Sequence, residues 1–201
     1  MTVNEDLLSI CQNSGEPAFR IYEPADTVIV LGAGRRAEND LLTLASGGIP
    51  VLKRKGGGGT VVLSPGQVVL ALVKEVSQPF GNREYAQTIN SWVKQALFEM
   101  GISGVEESGI SDLCLMGGKI LGSSLFRRRR ILFYQASLLV CNDLTLFSLY
   151  LSYPSIVPEY RQGRSHEDFC TNLHREGFTF PVAEVIERLE RVVRQRLPQL
   201  C

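Results

Sequence analysis

Two stretches of the sequence combine glycine with cationic side chains, a combination suited to binding anions. The first is Lys53-Arg54-Lys55, followed directly by the glycines 56–59 and by Thr60. Consecutive glycines carry a backbone entropy cost, so they are tolerated where a ligand must approach the main chain closely. Bare amides beside cations can hold a phosphate or a carboxylate. A flexible hairpin tip is the alternative interpretation of this stretch.

The second stretch places Lys119 directly after Gly117-Gly118 and near Asp112. A cation fixed where negative charge develops lowers a reaction barrier. Lys119, unshielded by its glycine neighbours, is a candidate for such a point charge. Asp112 could orient Lys119 or a bound nucleotide. The alternative is a solvated lysine with a capping or surface aspartate.

A rival pattern precedes both stretches. Residues 32–37, GAGRRA, satisfy G-x-G-x-x-G/A between a predicted strand and a predicted helix. The cations 53–55 follow about twenty residues later, which would suggest NADP over NAD. The segments after this pattern read as hairpins rather than as repeated βαβ units. A strand-to-helix turn that needs the conformational freedom of glycine is the simpler interpretation.

Composition excludes several classes of protein. The chain has 201 residues, enough for one sizeable domain, and its 21 Lys and Arg balance its 21 Asp and Glu, which indicates no nucleic-acid preference. The five cysteines form no CxxC pair, as is typical of reduced thiols in a cytoplasmic protein. No stretch approaches the roughly 18–20 apolar residues of a membrane span. His166 lacks partners at ligand spacing, so we predict no protein-built metal site.

Hydrophobic periodicity predicts a strand-rich chain with a few helices. The predicted strands are Phe19–Tyr22, Thr27–Leu31, Pro50–Arg54, Thr60–Leu63, Gln67–Lys74, Asp112–Met116, Lys119–Gly122 and Ile131–Val140. The predicted helices are Ala37–Ser46, Glu84–Met100, Asp143–Leu151 and Pro181–Leu197. Ser64-Pro65-Gly66 predicts a hairpin between its flanking strands. We therefore predict an α+β fold: a single domain over 1–201, with one mixed or antiparallel sheet and helices on one side.

Three motifs, in order, resemble the lipoate–protein ligase A family of the biotin/lipoate ligase and octanoyltransferase superfamily. Residues 53–62 resemble its RRxxGGGAVY segment, and residues 112–123 resemble NDLVVxGRKISGSA. Residues 134–144 are similar to HGTLL…DL. The resemblance covers roughly 5–151; a basic loop and C-terminal helices follow it.

This resemblance implies a class II synthetase-like catalytic core and an ATP-dependent ligase that joins lipoate, or octanoate, to a lysine of a lipoyl domain. It implies ATP with Mg²⁺ as cofactors. Many relatives carry a further C-terminal domain, so we expect a compact form, with a separate accessory subunit as one possibility. It places Lys119 at the lysine that contacts the acyl-adenylate. The implied substrate- and nucleotide-binding residues are Arg54, Gly57, Gly58, Gly59, Thr60, Asp112, Gly122 and Ser137.

Three other functions stay open. Transferases of the superfamily use a cysteine nucleophile, but Glu159 stands where one branch has it, and Val105–Ser111, its place in another branch, contains none. Cys114 and Cys141 fall in apolar runs and are predicted to be buried, inert thiols. These features favour a ligase over a transferase. A non-catalytic adenylate-binding homologue and a biotin ligase are the remaining alternatives.

Two basic segments have functional interpretations as well as a solvated one. Arg127–Arg130 is predicted to form a hairpin turn that could dock an acidic acceptor domain. Tyr160–His166 is a second basic, glycine-containing segment that could close over nucleotide phosphates.

Overall fold

The computed structural model describes residues 3–42, 48–77 and 81–201. Its strands are β1 (Ala18–Tyr22), β2 (Val28–Leu31), β3 (Val51–Lys53), β4 (Val61–Leu63), β5 (Gln67–Glu75), β6 (Glu106–Ser108), β7 (Asp112–Leu115), β8 (Gly118–Arg128) and β9 (Ile131–Leu139). Its helices are α1 (Asp6–Ser14), α2 (Ala37–Asp40), α3 (Asn82–Glu99), α4 (Thr145–Tyr150), α5 (His166–Phe169) and α6 (Val182–Arg196).

The strands form two sheets. The large sheet has six strands in the order β1-β5-β9-β8-β7-β6, and every neighbouring pair is antiparallel. The small sheet has the order β3-β2-β4, with β3 parallel and β4 antiparallel to β2. The predicted α+β class with a mixed or antiparallel sheet and flanking helices is confirmed, although the strands divide between two sheets.

The two long helices cover one face of the large sheet. The predicted apolar stripe of α3, from Tyr85 to Leu97, is buried there together with one side of α6. Side chains alternate along a strand, so Leu70 and Leu72 of β5 point toward these helices. Most of the hydrophobic core lies in this layer.

The opposite face is covered by α1 and by the small sheet. Leu7 of α1 packs with Ala71 and Val73 of β5, and Val30 of the small sheet packs with Val69. The prediction of helices on one side only therefore missed α1, since its nine residues are too few to show a clear period in the sequence. The candidate site lies on this second face.

The connection between β4 and β5 differs from the predicted hairpin. The two strands belong to different sheets, and Ser64-Pro65-Gly66 carries the chain from one to the other. Gly66 has φ of +85°, and a Cβ there would lie 2.6 Å from the backbone nitrogen of Asn142. The turn is therefore fitted against the end of β9, which pairs with β5 along its whole length.

The remaining predictions agree with the structure except in detail. The helix predicted from Ala37 ends at Asp40, because Leu41 turns extended and pairs with Leu151; residues 43–46 of that prediction lie outside the described residues. β8 continues beyond the predicted Gly122 to Arg128, and Arg129-Arg130 form the predicted turn into β9.

All five cysteines are free thiols. Cys114 is buried as predicted, but Cys141 is exposed, because the chain leaves the sheet after β9. None of the helices in the described parts of the chain is long and apolar enough to cross a membrane.

Candidate functional site

The candidate residues of β8 and β9 lie on the face of the large sheet that the small sheet covers. Gly122 pairs with Ser137, and Ser137 pairs with Val69. Directly opposed residues in an antiparallel ladder point to the same side, and Val69 packs against the small sheet. Gly122 and the half-buried Ser137 therefore face the small sheet.

Lys119 and Asp112 form an ion pair on adjacent strands. Their Nζ and Oδ1 atoms are 2.8 Å apart, and the two side chains are only 25% and 17% exposed. A Cβ on Gly122 would lie 3.0 Å from Nζ of Lys119, so the absence of a side chain at Gly122 leaves room for the lysine head. Tyr160 donates its hydroxyl hydrogen to the second oxygen, Oδ2, of Asp112 at 2.7 Å. The structure thus brings together three of the predicted residues and one that was not predicted.

A segment beyond the recognised motifs forms a wall of the Lys119 site. Nζ of Lys119 lies 5.9 Å from the centroid of the Phe169 ring. The guanidinium carbons of Arg161 and Arg164 lie 4.8 and 5.3 Å from the same centroid. The amide of Thr171 donates to the carbonyl of Lys119 at 2.9 Å. One feature of the sequence indicates a helix start in this segment. Ser165 stands three residues before Asp168, and its hydroxyl accepts a hydrogen bond from the amide of Asp168 and so caps α5.

The arginines of this segment bind its own backbone and the neighbouring turn. Arg164 donates to the carbonyls of Gly117, Tyr160 and Arg161 at 2.9, 2.9 and 3.1 Å. Arg161 is buried and donates to the carbonyl of Arg164 at 2.9 Å. The predicted closure of this segment over phosphates stays a prediction, and the segment as described is fastened to the β7–β8 turn.

The glycine run 56–59 connects β3 to β4 across β2, and it is no hairpin tip, since β3 and β4 do not pair. Arg54 lies beneath this run and is buried. Its guanidinium donates to the carbonyl of Val30 at 3.3 Å and to those of Gly57 and Gly59 at 2.8 and 2.6 Å. Burial, and secondly the charge of Arg35, lower the pKa of Arg54 to about 10. Arg54 holds the run from inside, and its contact with a nucleotide stays a prediction.

Two glycines fit the run against its neighbours. A Cβ on Gly32 would lie 2.2 Å from the carbonyl oxygen of Gly58, and one on Gly56 would lie 2.7 Å from Oγ of Ser124 on β8. Gly58 itself has φ of +91°, which favours glycine. Ser124 follows Gly122 by two residues on the same face, so Gly56 connects the glycine run to the strand of Lys119.

The close approach at Gly32 also explains the dinucleotide-like pattern. The first glycine of GAGRRA makes room for the glycine run, whereas a Cβ on Gly34 would meet no atom within 4 Å. After β2 comes the four-residue helix α2, and the large sheet is antiparallel. The described topology therefore lacks the repeated βαβ units of a dinucleotide-binding domain.

Gly32→Ala is expected to displace the glycine run, because the new methyl group would overlap the carbonyl of Gly58. Overpacking of this kind costs about 1–3 kcal/mol of unfolding free energy, and urea denaturation measures it. Gly34→Ala is the matched control and should leave the midpoint unchanged. Equal midpoints for the two variants would contradict the described contact.

The remaining predicted site residues are Thr60, Gly57 and Gly59. The hydroxyl of Thr60 donates to the carboxylate of Asp40, which also lies 3.7 Å from the guanidinium of Arg35. Gly57 and Gly59 are exposed, and a Cβ on either would meet no atom within 4 Å.

Among the described residues, no group of three or more His, Cys, Asp or Glu could hold a metal ion.

Comparisons with known proteins point to one family. Residues 1–194 match the family model of the lipoyl protein ligase A/B catalytic domain. A lipoate–protein ligase of Streptococcus pyogenes is 35% identical over 79 residues, which are 38% of this chain and 22% of that relative. The match thus spans about a fifth of the curated relative's length.

Solved structures share the fold. A bipartite lipoate protein ligase of Thermoplasma acidophilum, described with its E2 lipoyl domain, superposes with a TM-score of 0.79 at 21% identity, covering 98% of this chain and 82% of that one. A lipoate-protein ligase A bound with ATP gives 0.78 at 22% identity, covering 96% and 78%. At these low identities the superpositions establish the fold alone, and they confirm the fold class that was predicted.

Proposed function

The chain belongs to the family of lipoyl protein ligase A/B catalytic domains, and on that basis we propose that it is an ATP-dependent lipoate–protein ligase. In this proposal it activates lipoate, or octanoate, as acyl-AMP and then transfers the acyl group to a lysine of a lipoyl domain. ATP and the acid are bound on the face that carries Lys119, Gly122 and Ser137. The activity of the whole protein, its substrates and its partners are parts of this proposal.

The ion pair of Lys119 with Asp112 over Gly122 is the observation that carries the proposal. The lysine is half-buried on a β-strand and has a single carboxylate partner among the described residues. An acid carboxylate and an α-phosphate repel each other, and a fixed cation between them stabilises the transition state. Lys119 supplies that charge. Gly57 and Gly59 are exposed, and main-chain amides without side chains beside them can bind an anion.

Magnesium would enter the site with the phosphates of ATP, which provide the oxygen ligands that this ion prefers.

Both carboxylate oxygens of Asp112 have a partner, one in Lys119 and one in Tyr160. Asp112 is therefore proposed to orient Lys119, in keeping with the first of its predicted roles.

The proposed acceptor is a lipoyl domain, and the bipartite Thermoplasma ligase with its E2 lipoyl domain supports that choice. The same relative supports a separate accessory subunit as part of the proposal. Docking through the β8–β9 turn stays a prediction. Arg127, near the end of β8, lies with its guanidinium carbon 5.6 Å from the centroid of the Tyr85 ring, and Arg130 pairs with Glu75 at 3.2 Å. Arg128 and Arg129 are exposed.

A thioester-dependent transferase is the second candidate, because the structure places two cysteines beside Lys119. Cys114 pairs with Lys119 from β7, and Cys170 bridges it from the other side. No sequence motif marks Cys170 as a neighbour of Lys119. Burial raises the pKa of Cys170 to about 11 despite the nearby charges of Lys119 and Arg161. A nucleophilic cysteine needs a lowered pKa, so the site favours the ligase.

Cys170→Ser is expected to leave the rate of ATP-dependent lipoylation unchanged, because the thiol has no role in adenylate chemistry. Lipoylation of a lipoyl domain, followed by intact mass, measures this rate. Loss of activity in this variant, together with ATP-independent transfer from an octanoyl-carrier thioester to the wild type, would assign the protein to the transferases.

Pyrophosphate release tests the proposed function. The protein is incubated with ATP, Mg²⁺ and either lipoate, octanoate or biotin, in separate reactions. We expect release with lipoate or octanoate and none with biotin. Release with biotin alone would indicate a biotin ligase, and no release with any acid would indicate a non-catalytic homologue.

A further inference from the structure

Tyr160 connects a short helical turn, Glu159–Arg161, to the candidate lysine. Its hydroxyl donates to Oδ2 of Asp112 at 2.7 Å, and Oδ1 of the same carboxylate lies 2.8 Å from Nζ of Lys119. The carboxylate is thus bound at both oxygens, which fixes its rotation. The lysine ammonium lies at the end of a flexible four-carbon stem, so its position depends on the orientation of that carboxylate.

Tyr160 is itself held on several sides. Its ring packs against Phe169 with centroids 5.1 Å apart. On another side a Cβ on Gly109 would lie only 3.1 Å from the ring carbon Cε1. The carbonyl of Tyr160 accepts a hydrogen bond from Arg164 at 2.9 Å, and Arg164 also donates to the carbonyl of Gly117 in the turn between β7 and β8. The hydroxyl is therefore placed by rigid packing.

The environment of the hydroxyl favours its protonated, donating form. Burial, and secondly the negative charge of Asp112, raise the pKa of Tyr160 well above its usual range. The protonated phenol is thereby favoured, and it donates its hydrogen to the carboxylate. A role in proton transfer is disfavoured by the same shift, and a role in orientation remains.

We propose that Tyr160 is a positioning residue that acts through Asp112 to fix the ammonium of Lys119 where charge develops. This inference rests on the proposed function for its catalytic consequence, but the orientation of Lys119 can be measured without any substrate. In this proposal the segment after the recognised motifs supplies the hydroxyl that holds the Asp112 carboxylate and thereby orients Lys119.

Tyr160→Phe removes the hydroxyl and keeps the ring packed on Phe169. We expect kcat for adenylate formation to fall on the order of tenfold, less than the 10²–10³-fold loss typical when a stabilising group itself is removed. KM for ATP and lipoate should stay unchanged, because ground-state binding does not need the fixed ammonium. Tyr153→Phe is the matched control: the exposed Tyr153 lies with its ring 4.6 Å from the guanidinium carbon of Arg161, and phenylalanine keeps that ring, so the variant should keep wild-type kinetics.

A double-mutant cycle separates positioning from general destabilisation. If Tyr160 acts through Asp112, then Tyr160→Phe added to Asp112→Asn should cost little beyond Asp112→Asn alone, since the two residues form one network. Additive losses in kcat would overturn the proposal.

The readout that does not depend on activity is the NMR signal of Lys119 after ¹³C reductive methylation, which retains the lysine charge, with Lys119→Arg used for its assignment. Tyr160→Phe and Asp112→Asn should both shift this signal, and Tyr153→Phe should not. A signal unmoved by Tyr160→Phe would overturn the positioning role. If the signal moves while the wild type releases no pyrophosphate, the positioning role stands and the proposed function fails.

Discussion

Lys119→Ala is expected to abolish acyl-adenylate formation while the protein stays folded. The variant removes the cation that would lie between two anions, and loss of one such stabilising group typically costs roughly 10²–10³-fold in rate. The lysine head is partly exposed and its main partner is Asp112, so few packing contacts are lost. Single-turnover formation of acyl-AMP from lipoate and ATP measures the effect.

The matched control is Lys94→Ala. Lys94 lies on α3, which packs on the opposite face of the large sheet, and its removal should leave the single-turnover rate unchanged. Thermal unfolding of both variants separates lost chemistry from lost structure. If the Lys119→Ala protein forms acyl-AMP at the wild-type rate, then Lys119 has no role in adenylate formation.

Gly59→Val is expected to weaken binding of ATP or lipoate by more than tenfold, with little change in thermal stability. Gly59 is exposed, its φ lies outside the left-handed region, and a Cβ there would meet no atom within 4 Å. The folded protein therefore has room for a side chain, and only a ligand that approaches the main chain would meet it. Gly58→Val is a less clear test, because its φ of +91° adds backbone strain.

Gly34→Val is the corresponding change in the rival dinucleotide pattern, and it also has open space around it. We expect this variant to bind ATP and lipoate like the wild type, as judged by ligand-induced thermal stabilisation. NADPH should stabilise none of these proteins. Loss of ligand binding in Gly34→Val and not in Gly59→Val, with stabilisation by NADPH, would favour the dinucleotide interpretation.

The parts of the fold that follow local periodicity were predictable from the sequence. The stripe of α3 and the largely apolar runs of β5 and β9 carry their burial pattern in the sequence itself. The pairing of strands into two sheets does not follow from such patterns. The turn at Gly66 reads as a hairpin locally, but the strands that it joins belong to different sheets, and it packs against Asn142 far along the chain.

The candidate site shows the same division. The grouping of Lys119, Asp112 and Gly122 lies within one motif and was predicted from it. Gly32 fits against Gly58, which lies well beyond it in the sequence, and no local pattern shows that close approach. Tyr160 reaches Asp112 from a segment 48 positions away in the sequence, outside every recognised motif. Contacts of this kind depend on how the chain folds back on itself.

Intact-mass analysis of a lipoyl domain, incubated with this protein, Mg²⁺, ATP and lipoate, tests the central claim most directly. A parallel reaction replaces ATP and lipoate with an octanoyl-carrier thioester. We expect the acceptor to gain one lipoyl group on lysine only when ATP is present, with an equal amount of pyrophosphate released. Acylation from the thioester without ATP, or an unmodified acceptor in both reactions, would contradict the proposed ligase.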